Sequence, residues 1–122
     1  MPLYKIKDNN DIPVFDKSHL RIIWSRVIMH ANVFHMENGV SPRIYVGMEA
    51  YNIINQSTSF SYRDINSSHY PDYLGHFMGW NVFLSDELDK DEYVICLDER
   101  EVKMCKRKYK LKQITNKLNA TL

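Results

Sequence analysis

Apolar residues between positions 20 and 34 recur every three or four residues, which is the period of an α-helix with one buried face. The recurring residues are Leu20, Ile23, Trp24, Val27, Ile28, Ala31 and Phe34. Asp16 precedes them as a typical N-cap, and Gly39 follows them as a typical C-terminal stop. The pattern therefore predicts one long amphipathic helix over about residues 16–36.

Short runs of β-branched and aromatic residues predict strands in the middle of the chain. Arg43–Gly47 is one such run, and Trp80–Ser85 and Tyr93–Leu97 are two others. A second, shorter helix is predicted over about residues 48–56. We expect Tyr93–Leu97 to close a hairpin-like pair with the strand before it, across the acidic turn of residues 86–92.

The length of 122 residues is that of a single domain. Residues 1–15 are expected to form an extended N-terminal arm or short strand, and residues 98–122 form a charged C-terminal segment spaced for a strand and then a helix. Gly75 and Gly79 predict a tight turn or a bulge rather than a phosphate-binding loop. The chain is therefore predicted to fold as an α+β domain, in which the 16–36 helix packs across a mixed β-sheet.

The stretch Ser57–Tyr73 is polar and predicts a loop. A loop of this length is uncommon in a compact domain and is often functional. Aromatic side chains on a polar loop are typical anchors of protein interfaces. The candidate partner contacts are therefore Tyr62, Arg63, Tyr70 and Tyr73. The alternative is that these tyrosines pack the loop onto its own domain.

The formal net charge of +1 argues against a surface built wholly for nucleic acid. Charge is nevertheless concentrated, because eight of the fifteen acidic residues lie between Asp86 and Glu101, and a basic run follows them. The candidate basic patch consists of Lys103, Lys106, Arg107, Lys108, Lys110 and Lys112. Adjacent blocks of opposite charge favour a salt-bridged edge or a contact between subunits, and binding of nucleic-acid phosphates is the alternative.

No group of residues has the spacing of a catalytic or metal site. The histidines, none of which belongs to a metal-binding motif, are His19, His30, His35, His69 and His76. Cys96 lies in an apolar strand and is expected to be buried, whereas Cys105 is expected to be an exposed thiol without special reactivity. Two cysteines without a pairing pattern favour a reduced, intracellular chain. These observations predict a protein that is not an enzyme and has no cofactor.

Several small motifs follow one another in an unusual order. They are Asp16 with Leu20 to Ala31, Arg43-Ile44-Tyr45-Val46, Tyr51-Asn52-Ile53-Ile54, Phe60 with Asp64, Leu74-Gly75-His76-Phe77-Met78-Gly79-Trp80-Asn81-Val82, and Ser85-Asp86-Glu87-Leu88. In this order they resemble part of the major capsid protein of tailed bacteriophages. The resemblance covers about two thirds of the chain and consists of elements and small motifs, not of catalytic residues. Proteins of that family are considerably longer, with an N-terminal arm, an extended loop and a long spine helix.

The resemblance implies a structural function that resides in surfaces. We expect a capsid-like or capsid-associated protein of a phage or prophage, located in the virion or the host cytoplasm, that makes repeated contacts with protein subunits. The alternative is a small phage-encoded regulatory or nucleic-acid-binding protein that uses the basic segment 103–117. No apolar run approaches the roughly 20 residues of a membrane span, so no membrane partner is expected.

Overall fold

The computed structural model describes residues 3–6, 17–63 and 72–121, with side chains over 3–6, 20–63 and 72–118. Within these ranges the chain forms six strands and three helices. In chain order they are β1 (Leu3–Lys5), α1 (Lys17–Asn38), β2 (Arg43–Val46), α2 (Met48–Ile54), β3 (Phe60–Tyr62), β4 (Tyr73–Phe77), β5 (Trp80–Leu84), β6 (Glu92–Cys96) and α3 (Glu99–Thr121). The predicted α+β class, mixed sheet, long first helix and short second helix are confirmed.

All six strands belong to one sheet in the order β1-β6-β2-β5-β4-β3. β2 and β5 are parallel, and the other neighbouring strands are antiparallel. The predicted hairpin between Tyr93–Leu97 and the preceding strand is therefore wrong. The physical reason is that both edges of β5 are already paired, one with β2 and the other with β4, so that β6 pairs on the far side of β2.

Helices cover both faces of this sheet and create two apolar clusters. α1 and α2 cover one face, and the buried residues there include Leu20, Val27, Ala31, Ile44, Ala50, Ile54, Val82, Tyr93 and Ile95. α3 covers the other face, and the buried residues there are Tyr45, Phe83, Leu88, Val94, Cys96, Val102 and Cys105. Every residue of β6 is buried, because the strand contributes side chains to both faces.

The C-terminal segment and the polar stretch differ from their predicted structures. α3 is one continuous helix from Glu99, without the strand that the apolar spacing after Asp98 suggested. Lys, Glu, Arg, Leu and Met dominate this segment, and these residues favour helix. Phe60–Tyr62 lies within the predicted loop but is the edge strand β3, in which Phe60 pairs with Phe77. Tyr73 likewise begins a strand.

Glycines with left-handed backbone end the first helix and shape the β4–β5 hairpin. Gly39 follows α1 with φ +69°, as expected of a helix stop. Met78 and Gly79 form the two-residue turn between β4 and β5, with φ values of +52° and +89°. Gly75 has φ +144° and lies where the β4–β5 register shifts. The predicted turn and bulge at Gly75 and Gly79 are confirmed.

Acid sensitivity is expected from His30, a residue of α1 whose side chain packs against the sheet. Its ring stacks on Tyr4 with 3.8 Å between ring centroids, and its Nδ1 lies 2.7 Å from the Tyr93 hydroxyl. Burial, together with the nearby Arg26, lowers the pKa of His30 below its ordinary value. The unfolded chain therefore binds a proton more readily than the folded one, and stability is lost as pH falls below about 6.5.

We expect the variant His30→Asn to lose less stability on acidification than the wild-type protein does. A single group takes up at most one proton, so the wild-type slope due to His30 is at most about 1.4 kcal/mol per pH unit. Urea unfolding of both proteins at about pH 7.5 and about pH 5.5 measures the difference. The other histidines are common to both proteins, so their contributions to the pH dependence of stability cancel when the two proteins are compared. Equal losses would show that His30 does not carry the effect.

Candidate protein-binding helix

A fixed N-terminus sets the position of α3 beside the end of β6. Asp98 Oδ1 accepts a hydrogen bond from the Glu101 N–H at 3.1 Å, and Glu101 Oε2 accepts one from the Leu97 N–H at 2.6 Å. Reciprocal bonds of this kind resemble a capping box. The bond from the Glu101 N–H is the main cause that lowers the pKa of Asp98. The first turn of α3 is therefore held firmly.

Apolar side chains anchor the first turns of α3 on the sheet. Val102 is completely buried and Cys105 is nearly so, in the cluster that contains Tyr45 and Phe83. The prediction of an exposed Cys105 is thus wrong, whereas that of a buried Cys96 is confirmed. Cys105 follows Val102 by three positions, which places both on the same helix face.

A buried ion pair fixes the same turns. Glu92 on β6 has no solvent exposure. Its Oε1 accepts hydrogen bonds from Lys106 Nζ at 2.5 Å and from the Asp89 N–H at 2.8 Å. Its Oε2 lies 3.5 Å from Lys5 Nζ, which is close enough for an ion pair but gives no hydrogen bond. Lys106 therefore serves to attach α3 and is turned away from the open surface.

The acidic and basic segments meet within the chain at this point. Besides its bond to Glu92, Lys106 Nζ lies 3.2 Å from a carboxylate oxygen of Asp89, and Lys103 Nζ lies 3.9 Å from one of Glu87. Burial alone would lower the pKa of Lys106, but the hydrogen bonds and charges of Glu92 and Asp89 outweigh it and raise that pKa. The two oppositely charged blocks thus form a salt-bridged edge within the chain.

The second half of α3 extends away from the buried part of the domain. Every residue from 110 to 118 is exposed. A helix segment this short is marginal when isolated, but here it continues from turns that the sheet already holds, so it needs no nucleation of its own. The segment therefore presents a whole helix circumference for contact.

Apolar residues form a row on α3, here named the α3 row. Its members are Met104, Leu111, Ile114 and Leu118, with exposed fractions of 53%, 63%, 56% and 61%. Met104, Leu111 and Leu118 are seven residues apart, and Arg107 and Ile114 occupy the intervening seam positions of a heptad. At 3.6 residues per turn these five positions fall within an arc of about 80°. Buried Val102 lies about 160° from the middle of that arc, so the row faces away from the sheet.

Lysines flank the α3 row on both sides. Lys108 and Lys112 lie on one flank, and Lys103, Lys110 and Lys117 lie on the other. Of the predicted basic patch, Lys103, Arg107, Lys108, Lys110 and Lys112 are exposed, whereas Lys106 is not. The predicted basic residues therefore do not form one continuous patch. They lie on two flanks, with the α3 row between them.

A second apolar row lies on α1, on the opposite side of the sheet. This α1 row consists of Ile22, Met29, Val33 and Met36, with exposed fractions of 65%, 51%, 44% and 82%. Beside it is a groove whose lining includes Trp24, Phe77 and Met78. Methionine side chains adapt to irregular partners, so such surfaces suit protein contacts. Both outer faces of the domain thus carry exposed apolar rows.

The predicted aromatic contacts do not form one surface among the residues that the structure describes. Tyr62 is exposed on the edge strand β3 and contacts Phe60 of the α1-side cluster. Tyr73 is half-buried and contacts Phe83 of the α3-side cluster. Arg63 is exposed just after β3. Tyr70 lies outside the described residues.

The chemistry available to the buried thiols is limited. Burial raises the pKa of both Cys96 and Cys105, so both remain protonated and poorly nucleophilic at neutral pH. Over residues 3–6, 17–63 and 72–121, no three His, Cys, Asp or Glu side chains converge as candidate metal ligands. Within the same ranges, none of the helices combines the length and apolar character required to cross a membrane.

The basic residues of α3 are evident in the sequence, whereas the α3 row is not predicted from it as a surface. Its apolar residues were expected to alternate in a strand and then pack along a helix. The signal that identifies the row is the spacing of seven between Met104, Leu111 and Leu118, with a lysine directly before each. Comparison with protein-family models, curated proteins and solved structures gives no match for the chain.

Proposed function

We propose that this protein is a non-enzymatic assembly component that acts through protein–protein contacts. The observation that supports this function most strongly is the pair of exposed apolar rows on α1 and α3, which point away from the sheet in opposite directions. Contiguous exposed apolar surface marks interaction sites. Two separate surfaces allow one small domain to contact two neighbours, as a repeating subunit must.

The narrower proposal is a capsid-like or capsid-associated protein of a phage or prophage, located in the virion or the host cytoplasm. Support for it comes from the order of motifs in residues 16–97, including Arg43 at the start of β2 and the hairpin that contains Gly75 and Gly79. In symmetric particles many modest contacts act together, so rows of a few residues suffice for each interface.

A second candidate function is nucleic-acid binding by α3. It is favoured by seven exposed basic residues along that helix, five of which belong to the predicted basic patch. The apolar row between the two basic flanks favours protein contact instead, because phosphate recognition requires no apolar seam. The two functions differ in their response to salt, since phosphate binding weakens log-linearly as salt increases.

The proposed function predicts that the protein assembles as its concentration rises. Light scattering across a concentration series is expected to give masses above the 14.5 kDa of one chain, and electron microscopy is expected to show regular particles. Met36→Lys, in the α1 row, should reduce the assembled mass because it places a charge in an apolar contact. Its free energy of unfolding should stay within about 0.5 kcal/mol of the wild-type value, since Met36 is exposed.

Met48→Lys is the matched control, because Met48 is an exposed methionine of α2 outside both rows. It should leave the assembled mass unchanged. A constant mass of 14.5 kDa, combined with DNA or RNA binding that weakens steeply with salt, would reject assembly in favour of nucleic-acid binding. If the two substitutions change the assembled mass equally, the α1 row is not part of the contact.

A further inference from the structure

We infer that the α3 row docks an amphipathic helix of another protein, one whose apolar residues repeat at heptad spacing between acidic flanks. The inference rests on the proposed function, since it names the chemistry of one partner of an assembly protein. It is carried by the geometry of the α3 row, by the lysines beside it and by the attachment of α3 to the sheet.

The width of the α3 row indicates a helical partner. An arc of about 80° with two seam positions in seven is the geometry of a coiled-coil contact, whereas helices that cover a domain core have wider apolar faces. The core-facing part of α3 is separate and already filled, because Val102 and Cys105 lie on the sheet side. The exposed row is therefore additional to what the fold requires.

The flanking lysines disfavour a second copy of α3 as the partner. In a parallel pair of α3 helices, Lys103 of one copy would face Lys108 of the other. In an antiparallel pair, Lys110 would face the same flank of the other copy, which again carries lysine. Like charges at these positions oppose pairing, and carboxylates at the same positions of a different helix would favour it.

Arg107 adds a second element of specificity. It occupies a seam position between Met104 and Leu111, where an apolar residue would pack best. A charged residue at a single seam position selects the register and the partner at some loss of affinity. The opposing helix is therefore expected to place a carboxylate against Arg107.

An anionic membrane surface is a less suitable partner than an acidic helix. Helices that lie on membranes combine wide apolar faces with Trp or Phe near the boundary. The α3 row is narrow and contains no aromatic residue, and Tyr109 of the same helix is half-buried beside Lys5 on the sheet side. Binding to anionic vesicles is a separate outcome of the experiment.

Binding to two synthetic helical peptides tests the inference. One peptide carries Leu at both seam positions and Glu on both flanks over about three heptads, and the other differs only by Lys on the flanks. Fluorescence anisotropy with the full chain is expected to show binding of the Glu peptide and at least about tenfold weaker binding of the Lys peptide. The paired substitution Leu111→Gln and Ile114→Gln should weaken binding of the Glu peptide by at least about tenfold.

Two further variants separate the seam from the flanks. Gln113→Ala alters an exposed residue of the same turns outside the row and should leave binding unchanged. The paired substitution Lys108→Glu and Lys110→Glu should reverse the preference toward the Lys peptide. A chain that binds neither peptide, or both equally, would overturn the inference. So would a dimer that dissociates on Leu111→Gln, or binding to phosphatidylserine vesicles without binding to the Glu peptide.

These outcomes are distinguishable from failure of the proposed function. If the Glu peptide does not bind but concentration-dependent particles still form, the acidic-helix partner is rejected and the assembly function stands. If the chain stays monomeric and binds DNA or RNA with a steep salt dependence, the assembly function itself is rejected.

Discussion

Replacing Lys106 by Met is expected to destabilise the protein by about 3 kcal/mol, because it leaves the Glu92 carboxylate buried without its closest counter-charge. Glu92 has no solvent exposure, and the Lys106 side chain is only 11% exposed. Lys5 lies 3.5 Å from the other carboxylate oxygen of Glu92 and compensates in part for the lost positive charge. The expected cost is therefore at the lower end of the range observed when buried ion pairs are broken.

The matched control is Lys103→Met on the same helix. Lys103 and its partner Glu87 are about half exposed and 3.9 Å apart, so this change should cost under about 1 kcal/mol. Urea unfolding followed by circular dichroism gives both free energies of unfolding, and an unchanged slope against urea confirms that they are comparable. If the two variants lose the same stability, Glu92 is not held by Lys106 as the structure indicates.

A compensating variant strengthens the test. Adding Glu92→Gln to Lys106→Met removes the buried charge while keeping an acceptor for the Asp89 N–H, and should recover most of the loss. In the wild-type protein the same ion pair gives a pH signature. Because the pKa of Lys106 is raised, its contribution is complete below about pH 10.4 and is lost as pH rises through the raised value.

Local sequence signals were sufficient to locate the elements whose residue pattern is regular over a short stretch of the chain. The three- and four-residue apolar period and the glycine at position 39 determined α1, and the short β-branched run of Arg43–Val46 determined β2. Both signals depend on near neighbours in the chain. Strand order depends on contacts between distant parts of the chain. The hairpin prediction was wrong because the residues near β6 in the sequence do not indicate that β2 lies beside β5.

The candidate site was only partly accessible from sequence for the same reason. A run of lysines is visible locally, but the inward turn of Lys106 depends on Glu92, which is 14 residues away in the chain. The burial of Cys105 likewise depends on the position of α3 over Tyr45 and Phe83. The heptad spacing of the α3 row is visible in the local sequence. Which face of the helix is exposed, however, follows only from the burial of Val102 against the sheet.

Substituting Gly75 by Ala is expected to cost at least about 3 kcal/mol, through two effects that act together. The residue has φ +144°, which side-chain-bearing residues rarely adopt. A Cβ there would overlap the carbonyl oxygen of Ser61 and approach Phe60 Cζ to 3.1 Å. Since Ser61 belongs to the edge strand β3, relief of that overlap would push β3 away from β4.

Gly79→Ala is the control that separates the two effects, because Gly79 lies in the same hairpin with φ +89° but has open space where its Cβ would stand. It should therefore show backbone strain alone, at a cost of about 1 kcal/mol. Urea midpoints of the two variants, with amide exchange of β3, would locate the additional loss. A Gly75→Ala protein as stable as the Gly79→Ala protein would mean that β3 is not held against β4 at this distance. In that case Tyr62 and Arg63 would belong to a more loosely attached edge, available to a partner by strand pairing.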